Sequence, residues 1–211
     1  MFITFEGIEG SGKTTQLHRL AALLRERGRT VVTTKEPGGT PLADRIRAIL
    51  LDSKNVIDPI AEVLLFAASR RQHTVEVIRP AHARGEVVLC DRYTDSTLAY
   101  QGFGRRLNLD QLRTLNRWAT GDLDPDLTFV FDLPEEVGLS RAVNRNFAAP
   151  EDEGRFEAEE LKFHRRVREG YLALVQEQPH RYAVVDADGS IDEVFARTIE
   201  TLRQRLPELV A

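Results

Sequence analysis

The chain has 211 residues, a formal net charge of −4, 42% hydrophobic and 29% charged residues, a size that fills one soluble domain and is short for two. No apolar run approaches the roughly 18 residues of a membrane span, and the acidic balance argues against a general nucleic-acid-binding surface. The single cysteine, Cys90, lies in the apolar run Val87-Val88-Leu89-Cys90 and cannot close an internal disulfide, so a buried strand thiol in a reducing, cytoplasmic setting is expected.

The chain begins with a short apolar strand, Phe2-Ile3-Thr4-Phe5-Glu6, too short for a signal peptide. It runs directly into Gly7-Ile8-Glu9-Gly10-Ser11-Gly12-Lys13-Thr14-Thr15, a G-x-x-x-x-G-K-T sequence, and then a helix from 14 to about 27. Glycines let the backbone wrap closely, so successive N–H groups and the positive helix end face one phosphate. Lys13 adds a point charge for the outer phosphates, and the Thr14 hydroxyl is placed to hold Mg²⁺. A nucleoside-triphosphate site is expected here.

After Gly28, a C-cap by residue type, residues 30–34 read as a second strand ending in Lys35-Glu36-Pro37-Gly38-Gly39-Thr40-Pro41. A helix follows around 42–51. Asp58 and Pro59 then fit the N-cap and first position of another helix running towards 79, with Pro80 bending or interrupting it before 83. The third strand, 87–90, leads at once into Asp91-Arg92-Tyr93. Residues 109–119 are helical, with Leu109, Leu112, Leu115 and Trp118 on one face. A strand at 126–132, a helix from Pro134 to about 144, a mobile loop at 147–154, a long helix at 157–178, a strand at 182–185 and a helix at 191–206 complete the chain. Such alternation predicts one α/β domain, spanning 1–211, with about five parallel strands covered on both faces. Ligands of such sheets sit at the strands' C-terminal ends, where the phosphate loop, the Glu36 loop and Asp91-Arg92-Tyr93 all fall.

Neither an N-K-x-D segment nor an L-S-G-G signature is present, which excludes a guanine-nucleotide switch and a transport ATPase. Only four of the 29 basic residues are lysine (Lys13, Lys35, Lys54 and Lys162), and arginine is the cation suited to bidentate phosphate contacts. By helix pattern alone Phe66 reads as core and Arg70 as a solvated end. Yet Glu36-Pro37-Gly38-Gly39-Thr40, Phe66-x-x-x-Arg70, Asp91-Arg92-Tyr93 and Ala99-Tyr100-Gln101-Gly102, in this order, resemble the thymidylate kinases, and the likeness runs from Phe2 to about Leu206. It implies a P-loop NTPase of the nucleoside-monophosphate kinase type that moves the γ-phosphoryl of Mg·ATP to dTMP, giving dTDP.

On that resemblance Phe66 stacks on thymine and Arg70 bonds its carbonyl edge, while Arg92 grips the acceptor phosphate. Tyr100 packs on the deoxyribose, Ser96, Thr97, Gln101 and Pro37 complete the acceptor pocket, and Glu9 lies near the sugar hydroxyl. Arg47 either reaches the acceptor phosphate or lies on the surface. Asp91 stands with Thr14 at the metal, or caps a turn. The loop's variable positions Ile8, Glu9, Gly10 and Ser11 carry no positive charge, so a lid at about 141–157 must bring the cation that offsets transition-state charge. Arg145 and Arg155 are the two candidates, Arg155-Phe156-Glu157 matching the family's lid triplet. Arg141 and the turn Asp186-Ala187-Asp188-Gly189 neighbour adenine. A homodimer is also implied; the apolar faces of 61–68 and 109–118 could supply it or be core. Two other readings are a kinase for another deoxynucleotide or deoxynucleoside and a non-catalytic ATP-binding regulator.

Overall fold

The structure, a computed structural model, describes residues 1–146 and 155–209, apart from the side chains of Arg145 and Asn146. Five parallel strands, β1 (Phe2–Glu6), β2 (Val31–Lys35), β3 (Val87–Asp91), β4 (Leu127–Asp132) and β5 (Tyr182–Asp186), form one sheet in the order β2-β3-β1-β4-β5. β1 is central and buried along its length: Ile3 and Phe5 make one face apolar, and on the other Phe2 is joined by Thr4 and Glu6, whose polar groups are hydrogen-bonded to Thr128, Tyr93, Ser96 and Tyr171. Ile3 and Phe5 pack with Leu17, Leu20 and Leu24 of α1 (Lys13–Glu26) and with Val194 and Leu202 of α9 (Ile191–Arg205). Phe2 lies on the other face with Val88, Cys90, Ile78 and Tyr93. Burying each such side chain contributes about 1.5–3 kcal/mol. Cys90 is a buried free thiol, as its run predicts, and burial pushes it well above its usual range.

Local chemistry sets the helix starts near the site. Thr40 accepts the Ala43 N–H to cap α2 (Pro41–Leu51), and Asp58 accepts those of Ile60 and Ala61 to cap α3 (Pro59–His73). α3 continues through a π-helical turn, Thr74–Ile78, into α4 (Arg79–Ala83). The irregularity therefore precedes Pro80, which sits in the first turn of α4, where a missing N–H costs least.

Between β3 and α6 (Leu109–Thr120) the chain forms a short helix, α5 (Thr94–Thr97), and a π-helical stretch, Leu98–Gly104, which carries the Ala99-Tyr100-Gln101-Gly102 motif. α7 (Glu135–Asn146) leads toward the lid, and α8 (Leu161–Glu177) returns from it. α8 starts later than its pattern suggests. Phe156 is drawn into the core beside Tyr100, and Glu160 is extended, so the chain turns into the helix only at Leu161. Phe163, Val167 and Tyr171 of α8 pack against Leu98, Ala99 and Tyr100. The loop expected at 147–154 lies outside the described residues.

Candidate active site

The C-terminal ends of β1 and β3 open into a cavity of about 750 Å³. Glu9, Gly10, Gly12, Lys13, Thr14 and Thr15 of the phosphate loop line it together with Pro37, Arg47, Phe66, Arg70, Asp91, Arg92, Ser96, Thr97, Tyr100 and Gln101. Positions spread over some ninety residues of sequence thus meet in one space. Gly7, Ile8, Ser11, Arg141 and Arg155 are not on its wall.

The phosphate loop is shaped by glycine. Gly10 and Gly12 adopt φ of 70° and 81°, and a Cβ on Gly10 would stand 2.0 Å from the Gly138 carbonyl oxygen of α7, so the loop and α7 touch backbone to backbone. Lys13 Nζ donates to the Ile8 carbonyl at 3.0 Å, curling over its own loop. Desolvation, with Arg92 nearby, pushes its ammonium down to about 8. The Ser11 hydroxyl is buried with no partner among the described residues. Thr14 Oγ donates to an Asp91 carboxylate oxygen, so the two oxygens proposed for a hard cation lie side by side. Among the described residues no cluster of three or more His, Cys, Asp or Glu could hold a metal by itself. A hydroxyl and a carboxylate are hard oxygen donors of the kind that suit a magnesium ion keeping waters and phosphate oxygens as its other ligands.

Arg92 follows β3 with a left-handed φ of 70°, uncommon for a residue with a side chain. The buried Glu6 carboxylate at the end of β1 accepts the Tyr93 N–H at 2.7 Å, while the Arg92 N–H donates to Phe5 O, so the centre of the sheet enforces this turn. Burial, reinforced by Asp95, raises the Glu6 carboxyl to about 7. The Arg92 guanidinium donates to Glu9 Oε1 at 3.1 Å and to the Tyr100 hydroxyl at 3.0 Å through one nitrogen, and to Ser96 and Tyr171 through the other. Tyr100 OH also donates to Glu9 Oε1 at 2.6 Å. Burial alone would raise the Glu9 carboxyl, but His164, Arg92 and Lys13 outweigh it and hold it at about 2.

Arg70 departs from the solvated helix end that its pattern suggests: it is 2% exposed. Its Nε donates to Glu36 at 2.7 Å, Nη1 to Thr97 and Asn116, and Nη2 to the Tyr93 carbonyl, which uses four of its five N–H donors. One Nη2 hydrogen is left over, on a residue that lines the cavity. Phe66 sits half-buried on the wall, with its ring centroid 6.3 Å from that of Phe156. Arg47 donates to the Pro37 carbonyl at 3.1 Å, bracing the loop it lines.

The lid residues separate. Arg155 donates to the Leu50 carbonyl and, at 2.7 Å, to Glu62 Oε2 on α3, and its guanidinium stacks 4.6 Å from the Phe156 ring. It is thus held on α2 and α3 and does not reach the phosphate loop. Arg141 of α7 reaches the Ala187 carbonyl at 3.4 Å and Asp188 at 3.7 Å, which brings it to the turn after β5 that its sequence reading names. The Arg145 side chain lies outside the described residues.

Four residues have contacts at the site that the sequence does not indicate, two of them, Glu36 and Phe156, inside motifs already named. Glu36 holds both Arg70 and His73, and its place in the Glu36-Pro37-Gly38-Gly39 motif was the only available signal. Phe156 adds an aromatic wall to the cavity, and Glu62 anchors Arg155 and Arg105. His164, buried on α8, stands 3.4 Å from Glu9 Oε2. No local pattern marks any of these pairings, which join elements far apart in the chain.

A family model described as "Thymidylate kinase" matches residues 5–198. The thymidylate kinase of Geobacter sulfurreducens is 55% identical over 208 residues, covering 98% of both chains. That of Solidesulfovibrio magneticus is 56% identical over 197 residues, covering 92% of this chain and 94% of its own. The crystal structure of thymidylate kinase from Ehrlichia chaffeensis superposes with a TM-score of 0.76 at 37% identity, covering 96% of this chain and 98% of that one. With the cavity, the loop and the strand order already in place, these matches identify the chain as a member of the thymidylate kinase family.

Proposed function

We propose that this protein transfers the γ-phosphoryl group of ATP to dTMP, yielding dTDP for dTTP synthesis. The observation that carries this reading is one cavity joining Lys13 and Thr14 of a phosphate loop to Arg92, Phe66 and Tyr100. A phosphate at the loop and a nucleotide against the aromatic wall would share that space. An acceptor phosphate is already anionic at neutral pH, so the reaction needs alignment and charge neutralisation more than a general base.

Arg92 turns from Glu9 and Tyr100 to the acceptor phosphate and brings it in line with the donor. Lys13 leaves the Ile8 carbonyl for the outer phosphates of ATP. Phe66 presents its face to the base, and the remaining Nη2 hydrogen of Arg70 addresses a carbonyl on the base edge. Thr14 and Asp91 would hold Mg²⁺, which would supply positive charge to offset that of the phosphates. Arg141 and the turn after β5 flank adenine. With Arg155 held on Glu62, Arg145 of α7 takes the role of lid cation, on the helix whose Gly138 already abuts the loop.

The protein acts as a cytoplasmic homodimer. Ile60 and Leu64 of α3 are 54% and 55% exposed, and Trp118 of the neighbouring α6 is 83% exposed, an apolar face that a second copy would cover. Val63, Ala67 and Leu112 of the same helices point inward.

The test is coupled ADP release with dTMP, dUMP, dCMP, dAMP and thymidine as acceptors. Turnover of dTMP in preference to the others supports the reading. Activity on thymidine without activity on dTMP, or ATP binding with no dTMP-dependent turnover, overturns it.

A further inference from the structure

Glu62 of α3 has no solvent exposure, yet its carboxylate sits at the meeting point of three donors. Arg105 gives it two hydrogen bonds, Nε to Oε1 at 2.9 Å and Nη2 to Oε2 at 3.1 Å, and Arg155 gives a third at 2.7 Å. Burial alone would raise this carboxyl, but Arg105, Gln101 and Arg155 bring it below the usual range. An ionised carboxylate accepts hydrogen bonds and donates none.

Gln101 completes the set, its Nε2 donating to Glu62 Oε1 at 2.8 Å. An amide has one donor end and one acceptor end, and only the donor end is compatible with this carboxylate. The other end is therefore not free to choose. Gln101 Oε1 is buried and has no hydrogen-bond partner among the described residues, although Gln101 lines the acceptor cavity beside Phe66 and Tyr100. A buried carbonyl left unpaired costs about 1–3 kcal/mol, so an N–H brought by a ligand is favoured there.

We propose that Glu62 is a specificity-determining positioning residue, which locks the Gln101 amide with its carbonyl oxygen toward the acceptor base. A pyrimidine with an imide N–H, as in thymine, is then accepted, and one with a lone pair at that ring nitrogen, as in cytosine, is rejected. This rests on the reading of the cavity as a dTMP site. The same carboxylate anchors Arg155, so the base reader and the chain returning from the lid share one support.

The experiment compares kcat/KM for dTMP and dCMP in the wild type, Glu62→Gln and Arg105→Gln. An amide at 62 accepts either end of Gln101, so Glu62→Gln lowers the dTMP-to-dCMP preference by about tenfold or more through a higher KM for dTMP, while the KM for ATP stays within about twofold. Arg105→Gln loosens the network but leaves the carboxylate, and the preference is retained. If Glu62→Gln keeps the wild-type preference, or Arg105→Gln loses it to the same extent, the proposal fails. Should Glu62→Gln not fold, the wild-type dTMP complex decides by NMR. Gln101 side-chain NH2 protons showing nuclear Overhauser effects to Arg105 Hε and none to the base support the proposal, and NH2 protons contacting the base overturn it. A wild type that prefers dTMP while Glu62→Gln changes nothing defeats this inference alone; a wild type that does not use dTMP defeats the acceptor reading with it.

Discussion

Arg92 combines a backbone that resists a side chain with a side chain proposed to grip the acceptor phosphate, and two substitutions separate these. At φ 70° a residue carrying Cβ costs about 1–2 kcal/mol relative to its relaxed backbone, whereas glycine has no such cost. Glycine gives back about 0.4–1 kcal/mol through the greater freedom of its unfolded chain. Arg92→Gly should therefore be more stable than Arg92→Ala by about 1 kcal/mol. Both lose the contacts to Glu9, Tyr100, Ser96 and Tyr171, so that shared loss cancels in the comparison. Catalysis behaves differently. Each charge-assisted hydrogen bond to the acceptor phosphate contributes about 1.5–3 kcal/mol. Losing two lowers kcat/KM for dTMP by about 10²–10⁴ in both variants, with the KM for ATP little changed. Urea denaturation gives the stability difference, and coupled ADP release gives the rates. An alanine variant at least as stable as the glycine variant would refute the strain argument. Dependence of turnover on dTMP within tenfold of the wild type, in either variant, would remove Arg92 from phosphate alignment.

Two further outcomes follow from particular groups. Because the folded Glu6 carboxyl is raised to about 7 from its usual 4.5, the folded state keeps a proton that the unfolded chain releases between those values. Stability should fall as pH rises from about 5 to 7, by up to about 1.4 kcal/mol per unit, and level off above 7; Glu6→Gln should flatten that component in denaturation midpoints, and an unchanged slope would exclude Glu6 as its source. Leu64→Glu and Trp118→Glu place charge on exposed positions that contribute little to the monomer's core, so each should shift sedimentation from dimer to monomer without unfolding. A wild type that already sediments as a monomer would contradict the proposed interface.

The elements and the cavity's residue types were legible because they depend on local rules. Asp58-Pro59 opens a helix through its own cap, and an apolar strand followed by glycines and Gly12-Lys13-Thr14 states its own geometry. The stretch 94–104 was not legible as helix. Its glycines are poor helix formers, and their reason is tertiary: a Cβ on Gly102 would lie 2.4 Å from Leu109 Cδ2, and one on Gly104 2.6 Å from Phe163. The arginines show the same division more sharply. That Arg70, Arg92 and Arg155 are candidates for a role in the site could be read from motif and charge, but which carboxylate each one meets could not. Glu36 lies 34 residues from Arg70, and Glu62 lies 93 from Arg155; only the crossovers of the sheet bring them together. A guanidinium on a carboxylate and one free to meet a phosphate look alike in sequence. The difference decides the proposal for the lid: Arg155, the better motif match, is paired with Glu62, so the proposed lid cation is Arg145 of α7.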